Sequence, residues 1–227
     1  TYIKLDKQIS DLLLALDNSV GKGNYLLFLT ADHAVKPNGG YLKENRMPYG
    51  NMDSKMVEDS LTLFCNRYFG ISDIIETVED NQIYLNHKTI ENKKLDLHSL
   101  NTALIGYLRN TFPQMNMISS KEDFNHLMPT RTMNTFALNG FNPYRSGDLM
   151  FDLTIGYLTG NYHEGTSHGT SFDYDTHVPL LFYGWKVKPG ESNTQVFVED
   201  IAPTITSLIQ IQEPNGTIGV PIIHVGN

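Results

Sequence analysis

Cysteine is scarce in the sequence. Its single cysteine, Cys65, excludes an internal disulfide bond, and its apolar neighbours predict a small core residue rather than a nucleophile. No run of about 18 apolar residues occurs, so no transmembrane helix is predicted. The chain lacks a run of basic residues and has a net charge of −8, which argues against a nucleic-acid partner. No secretory signal peptide is visible.

The rest of the composition is typical of a globular protein. The chain has 227 residues, of which 40% are hydrophobic and 19% are charged. This length is enough for one domain, or for a domain that carries an insertion. Five apolar residues near the start fall on one face of a predicted helix: Leu5, Ile9, Leu12, Leu13 and Leu16. Because this pattern begins without a preceding cap, we expect the chain to be a fragment of a longer protein.

An apolar run at residues 25–30, Tyr-Leu-Leu-Phe-Leu-Thr, is followed closely by an aspartate and a histidine. A continuous apolar run predicts a strand that is buried on both faces, as in a parallel α/β sheet. Ligands bind outside the carboxyl ends of the strands in such sheets. Asp32 and His33 are therefore candidate ligands of a divalent ion such as zinc. The competing interpretation is an aspartate that caps a turn beside a surface histidine.

The middle of the chain, residues 36–160, predicts a small α+β subdomain, which we call the cap. Its predicted helices cover residues 53–69, 95–112 and 121–127, and its predicted strands cover residues 74–78, 82–86, 114–118 and 149–158. In the first of these helices, Met56, Ser60, Leu63 and Phe64 are expected on one side. The cap would be inserted between two core segments, residues 1–35 and 161–227. The second core segment predicts a glycine-rich loop at 160–170, a buried strand at 178–184, and a helix with Asp200 as its N-cap.

Three motifs stand in a fixed order along the chain. They are Thr-Ala-Asp-His at residues 30–33, Gly-Thr-Ser-His-Gly at 165–169 and Asp-Ile-Ala-Pro-Thr at 200–204. This ordered set resembles the C-terminal half of the alkaline phosphatase superfamily. It is most similar to the zinc-dependent phosphatases with a threonine nucleophile, and to the type I phosphodiesterase/nucleotide pyrophosphatases. The resemblance covers nearly the whole chain and is weakest over residues 70–150. It implies an α/β fold, in which an alkaline-phosphatase-like core sheet with flanking helices carries the α+β cap.

The resemblance also implies a site with two zinc ions about 4 Å apart. Asp32 and His33 match the pair that binds the ion beside the nucleophile, and His168 matches a ligand of the other ion. His177 competes with His168 for this role, but the glycine after His168 gives its backbone the freedom to approach a metal. The remaining histidines lack such a motif and are expected to be ordinary surface or half-buried residues: His87, His98, His126, His163 and His224.

Two departures from the family pattern stand out. Ala34 follows the Asp-His pair where family members commonly carry glycine. The family's nucleophile, a further aspartate ligand and an Asp-x-x-x-His pair belong to the N-terminal half of such proteins, and none of them has a counterpart in this chain. Thr30 and Thr166 do not fit the nucleophile's setting, because one lies in a strand and the other in the ligand loop. The resemblance therefore implies that the catalytic nucleophile lies upstream and that this fragment alone is inactive.

The implied function of the intact protein is hydrolysis of phosphate monoesters through a phospho-threonine intermediate. Its partners would be a small phosphorylated substrate and the missing N-terminal half, and family members are typically periplasmic or secreted. Two alternatives stay open. The substrate could instead be a phosphodiester, a nucleotide pyrophosphate or a sulfate ester. The chain could also be a non-catalytic domain that kept the fold, for which Ala34 is the only hint.

Overall fold

The computed structural model describes residues 1–125, 139–160, 165–223 and 225, which form two compact units. The first unit contains Thr1–Ala31 and Pro179–Asn227, and the second contains Asp32–Val178. The histidines at positions 126, 163 and 224 lie outside the described residues. Within the described residues, no helix combines the length and apolarity that crossing a membrane requires.

The described helices and strands alternate along the chain, as in a mixed α/β protein. The helices are α1 (Tyr2–Ser19), α2 (Gly39–Glu44), α3 (Ser54–Phe69), α4 (His87–Lys93), α5 (Leu97–Thr111), α6 (Lys121–Asn125), α7 (Asp173–Thr176) and α8 (Ile201–Ile209). The strands are β1 (Leu26–Leu29), β2 (Gly50–Met52), β3 (Ile75–Glu79), β4 (Gln82–Leu85), β5 (Met115–Ser120), β6 (Leu149–Leu153), β7 (Tyr157–Thr159) and β8 (Leu181–Gly184). A short 3₁₀ helix, Val198–Asp200, leads into α8.

In the first unit, β1 and β8 pair antiparallel, with Leu26 opposite Gly184. Gly184 has a φ of 102°, and a Cβ there would overlap the carbonyl oxygen of Tyr25, so this position requires glycine. Within the described residues, the parallel pairing and two-sided burial predicted for this strand are not observed, since Phe28 is 42% exposed and the pairing with β8 is antiparallel. An apolar run indicates a strand, but it does not determine the direction or the number of the neighbouring strands.

The second unit is built on an antiparallel sheet in the order β3-β4-β6-β5, beside a separate parallel pair of β2 and β7. The predicted hairpin is confirmed as β3 and β4, with Glu79 opposite Gln82. The strand predicted over residues 149–158 is divided into β6 and β7. Helices α3 and α5 contribute buried apolar side chains to the core that the sheet also lines: Val57, Leu61, Cys65, Leu100, Leu104 and Leu108.

Helix α3 shows which local contacts set its ends and which side chains it buries. Asp53 caps its first turn by accepting a hydrogen bond from the Lys55 amide at 2.8 Å, and Gly70 ends it in the left-handed region. The side that Met56 and Leu63 were expected to share is not the buried one, because both are exposed while Val57, Leu61 and Cys65 are buried. Apolar side chains lie on both of these sides of the helix, so periodicity alone does not identify the buried side.

The aspartate predicted to cap the last helix has another role. Asp200 precedes α8, but its side chain makes no capping hydrogen bond to that helix. Its two carboxylate oxygens instead accept from the Phe197 amide at 2.9 Å and the Val220 amide at 2.8 Å. Asp200 therefore ties the chain that follows α8 back to the segment that precedes it.

Candidate metal centre

The three predicted ligands lie together in the second unit. The imidazole rings of His33 and His168, 135 positions apart in the sequence, are stacked with their centroids 3.3 Å apart and their planes 17° from parallel. Asp32 is adjacent, with its Oδ2 atom 3.7 Å from His33 Nε2. The Asp32 side chain is 88% exposed, so its carboxylate remains open to a ligand.

A hydrogen bond to the next residue determines which nitrogen of His33 is available. His33 Nδ1 lies 2.8 Å from the carbonyl oxygen of Ala34. A carbonyl oxygen can only accept, so Nδ1 must carry the proton and donate it. The lone pair of the neutral ring is therefore on Nε2, the atom that faces Asp32. Fixing the tautomer of a metal-binding histidine through its other nitrogen is a common arrangement in metalloproteins.

The donor atoms can be tested against the zinc coordination expected from the resemblance. Zinc binds carboxylate oxygen and imidazole nitrogen at about 2.0–2.2 Å, so a tetrahedral ion separates two such atoms by about 3.3–3.6 Å. The observed separation of 3.7 Å between Asp32 and His33 is close to this value. These two side chains thus fit one ion as two of its ligands.

The stacked geometry indicates that the two histidines do not bind the same ion. The lone pairs lie in the ring planes, and nearly parallel planes do not direct them at one shared point. His168 therefore fits a second, neighbouring ion better than the ion of Asp32 and His33. In the described part of the chain, no group of three or more His, Cys, Asp or Glu residues could hold a metal ion, so each donor set is incomplete there.

Hydrogen bonds between two chain segments bring the histidines together. The Lys36 amide donates to the Ser167 carbonyl at 3.1 Å, and the Asn38 side-chain amide donates to the Gly165 carbonyl at 2.8 Å. The Thr166 hydroxyl donates to the Lys36 carbonyl. The segment after His33 thus runs beside the segment that carries His168.

The sequence of the chain is similar to those of several known proteins. The chain is 36% identical over 225 residues to alkaline phosphatase PafA of Elizabethkingia meningoseptica, covering 99% of the chain and 41% of that protein. It is 37% identical over 219 residues to alkaline phosphatase PhoV of Synechococcus elongatus, covering 96% and 39%. A Myroides odoratus protein named calcium-transporting ATPase is 34% identical over 223 residues, covering 98% and 40%. No protein-family model matches the chain.

The fold agrees with the sequence comparison. A crystal structure of wild-type alkaline phosphatase PafA matches with a TM-score of 0.91 and 34% identity, covering all of this chain and 43% of that one. The chain belongs to the alkaline phosphatase superfamily. The predicted superfamily and α/β fold class are therefore confirmed. The chain spans about two fifths of the length of the curated relatives it matches, which is the coverage expected of a C-terminal portion.

Two residues beside the histidines of this superfamily member had no signal in the sequence. Lys36 is buried, and its Nζ donates to the Gly156 carbonyl at 2.9 Å. Desolvation lowers the pKa of Lys36, and the negative charge of Asp175 partly opposes this effect. Asp175 is only 3% exposed. A buried charged pair of this kind depends on contacts between distant segments, which neither periodicity nor a local motif reveals.

The other described histidines lie in different surroundings. His177 is exposed where α7 ends, and its amide donates to the Asp173 carbonyl at 2.8 Å. His87 Nε2 lies 2.8 Å from Oδ1 of the buried Asp148. His98 Nδ1 lies 3.2 Å from Oε2 of Glu122 on the surface.

A cleft of about 300 Å³ begins directly after His168 in the same unit. Residues 169–171 form one wall, and residues of the cap form the others. The cap wall combines apolar side chains such as Met150 and Phe151 with the carboxylates of Asp80 and Asp152. A cleft of this size is at the lower end of the range for small-molecule sites.

Proposed function

We propose that the intact protein is a zinc-dependent hydrolase of phosphate monoesters and that Asp32, His33 and His168 hold its metal ions. The observation that carries this proposal is the stacking of His33 on His168 beside the Asp32 carboxylate, in a chain of the alkaline phosphatase superfamily. Asp32 and His33 Nε2 would hold one ion, and His168 would hold the second. The parallel rings support two neighbouring ions, since two-metal sites that cleave phosphate esters hold their ions about 3.5–4 Å apart.

Zinc, when bound, supplies positive charge that lowers the pKa of a nucleophilic hydroxyl and stabilises negative charge on the phosphoryl group and leaving oxygen. The residues of this chain fix where that charge lies. The Ala34 carbonyl holds His33 in the tautomer that presents Nε2, and the Asp32 carboxylate adds a negative ligand 3.7 Å away. Positioned charge of this kind accounts for most catalysis of phosphoryl transfer.

The nucleophile in this proposal is a threonine outside this chain. The hydroxyl groups of two threonines near the site donate hydrogen bonds within the fold. Thr166 donates to the Lys36 carbonyl, and Thr170 donates to the Asp175 carboxylate. A threonine elsewhere in the intact protein would attack the phosphorus in line, displace the alcohol of the ester and form a phospho-threonine intermediate. Water would then hydrolyse this intermediate to inorganic phosphate and the free threonine.

The cap, residues 36–160, would shape the choice of leaving group. The cleft beside His168 supports this part of the proposal, because cap residues and residues 169–171 line it together. A small phosphorylated substrate would place its phosphate at the metal ions and its alcohol portion toward the cleft. We further propose that the protein works in the periplasm or outside the cell, as is typical of the superfamily.

The decisive assay uses the full-length protein and p-nitrophenyl phosphate. We expect His33→Ala and His168→Ala to lower kcat/KM on the order of 10²-fold or more. Each variant would lose a ligand of a zinc ion, and the site would then lose the fixed positive charge of that ion. His98→Ala is the matched control, since His98 lies at the surface beside Glu122. Wild-type rates in both ligand variants, or an equal loss in the control, would refute the metal-site assignment.

The same protein distinguishes the alternatives. A higher kcat/KM for bis-p-nitrophenyl phosphate or p-nitrophenyl sulfate than for the monoester would transfer the assignment to a phosphodiesterase or a sulfatase. Absence of turnover with all three esters in the zinc-loaded protein would favour a non-catalytic domain.

A further inference from the structure

One buried aspartate contacts both segments that carry the predicted ligands. The carbonyl oxygen of Asp175 accepts from the Ala34 amide at 2.8 Å, directly after His33. Its carboxylate Oδ2 accepts from the Thr170 amide at 2.8 Å and from the Thr170 hydroxyl at 2.7 Å, two residues after His168. Asp175 lies in the four-residue helix α7, seven residues after His168, so its side chain closes the local turn after His168 and its carbonyl joins this turn to the His33 segment.

We propose that Asp175 is a positioning residue that holds the His168 segment against the His33 segment and so aligns the two metal-binding rings. This inference rests on the proposed function, since it assigns Asp175 a role in orienting the ligands of that site. The Asp175 main chain fixes the His33 side, and its side chain fixes the His168 side. Loss of the side chain should therefore release His168 while it leaves the Ala34 hydrogen bond in place.

The burial of Asp175 indicates that its carboxylate has a specific role. It is 3% exposed, and its Oδ1 atom has no hydrogen-bond partner among the described residues. An unpartnered buried oxygen costs free energy, which an apolar residue of similar size would avoid. The positive charge of the buried Lys36 interacts with the negative charge of Asp175. Asp175 could thus act through its hydrogen bonds to Thr170 or through its charge, and the two roles can be separated by substitution.

The test measures zinc affinity of the full-length protein by competition with a chelating dye, at a temperature where near-UV circular dichroism shows each variant folded. We expect Asp175→Ala to raise the zinc Kd about tenfold or more, as is typical when groups that orient metal ligands are removed. Asp175→Asn keeps an amide oxygen that can accept both Thr170 hydrogen bonds, so it should stay within about threefold of wild type. Asp173→Ala, an exposed position on α7, is the matched control and should leave the Kd unchanged.

The possible results decide between the roles. An unchanged Kd for Asp175→Ala overturns the inference, and so does an Asp175→Asn variant as weak as Asp175→Ala, because charge rather than hydrogen bonding would then act. If Asp175→Ala does not fold, Thr170→Val decides: a raised Kd supports the inference and a wild-type Kd overturns it. Zinc binding by the wild type with no effect of these variants removes only this inference, whereas a wild-type protein that binds no zinc removes the proposed function as well.

Discussion

At the scale of single residues, short-range contacts determine which atoms can react. The Ala34 carbonyl leaves His33 Nε2 as the free nitrogen, and this contact is the same whether position 34 is alanine or glycine, because it uses the backbone. The departure from the family pattern at Ala34 therefore does not disturb the hydrogen bond that selects the tautomer. This observation weakens the only hint in favour of a non-catalytic domain.

Cys65 offers a test of burial at one residue. It has no exposed surface in the core, and desolvation raises the pKa of its thiol to about 11. Only the thiolate reacts with disulfide reagents, so we expect no reaction of Cys65 with Ellman's reagent at pH 8 in the folded protein. Unfolding in guanidinium chloride should expose this thiol, and rapid labelling before unfolding would contradict its place in the core.

The residues of the site differ in how far the sequence could predict them. Asp32 and His33 are adjacent and follow an apolar run, and His168 lies between a serine and a glycine in a recognisable motif. Asp175 and Lys36 have no such context. The Ala34 amide donates to the Asp175 carbonyl and the Lys36 ammonium donates to the Gly156 carbonyl, and only the fold brings these segments together. Motifs therefore located the candidate ligands but not the residues that align them.

At the scale of elements, local signals predicted helices and hairpins, whereas pairing between distant strands was not predictable. The ends of α3 and α5 follow from the capping aspartates Asp53 and Asp96, and the turn between β3 and β4 follows from residues 80–81. The antiparallel pairing of β1 with β8 joins residues about 155 positions apart, and apolar content alone does not encode it.

Helix α3 provides a matched pair of core substitutions. Leu61 is fully buried, while Leu63, two residues later, is 47% exposed. We expect Leu61→Ala to lower the free energy of unfolding by about 3 kcal/mol, because it leaves a cavity in the core. Leu63→Ala should change it by less than about 0.5 kcal/mol, as is usual at a surface position. Urea denaturation measures both values, and a larger loss for Leu63→Ala than for Leu61→Ala would contradict the buried face that the structure shows for this helix.

The cap of α5 should make stability depend on pH. Hydrogen bonds from the side chain and backbone of Ser99 lower the pKa of Asp96 below its ordinary value of 3.8. The ionised carboxylate therefore contributes stability above pH 3.8, and this contribution is lost as the pH falls through the lower folded-state pKa. Asn at this position still caps the helix but does not ionise. The stability difference between wild type and Asp96→Asn should thus shrink on acidification, and a pH-independent difference between pH 7 and pH 3 would contradict this account.

At the scale of the whole molecule, the chain spans about two fifths of its curated relatives, so the proposed activity belongs to the intact protein. We expect the 227-residue chain expressed alone to show no zinc-dependent hydrolysis of p-nitrophenyl phosphate, because the proposed nucleophile and further ligands lie elsewhere. The full-length protein assayed in parallel provides the positive control. Turnover by the isolated chain would place the nucleophile within these residues.

The most direct measurement is anomalous scattering at the zinc edge from crystals of the full-length protein. The account predicts one peak about 2.0–2.2 Å from the Asp32 carboxylate and His33 Nε2, and a second at the same distance from a His168 ring nitrogen. Peaks bound by other residues, or no peak near His33 and His168 in a zinc-containing protein, would contradict it.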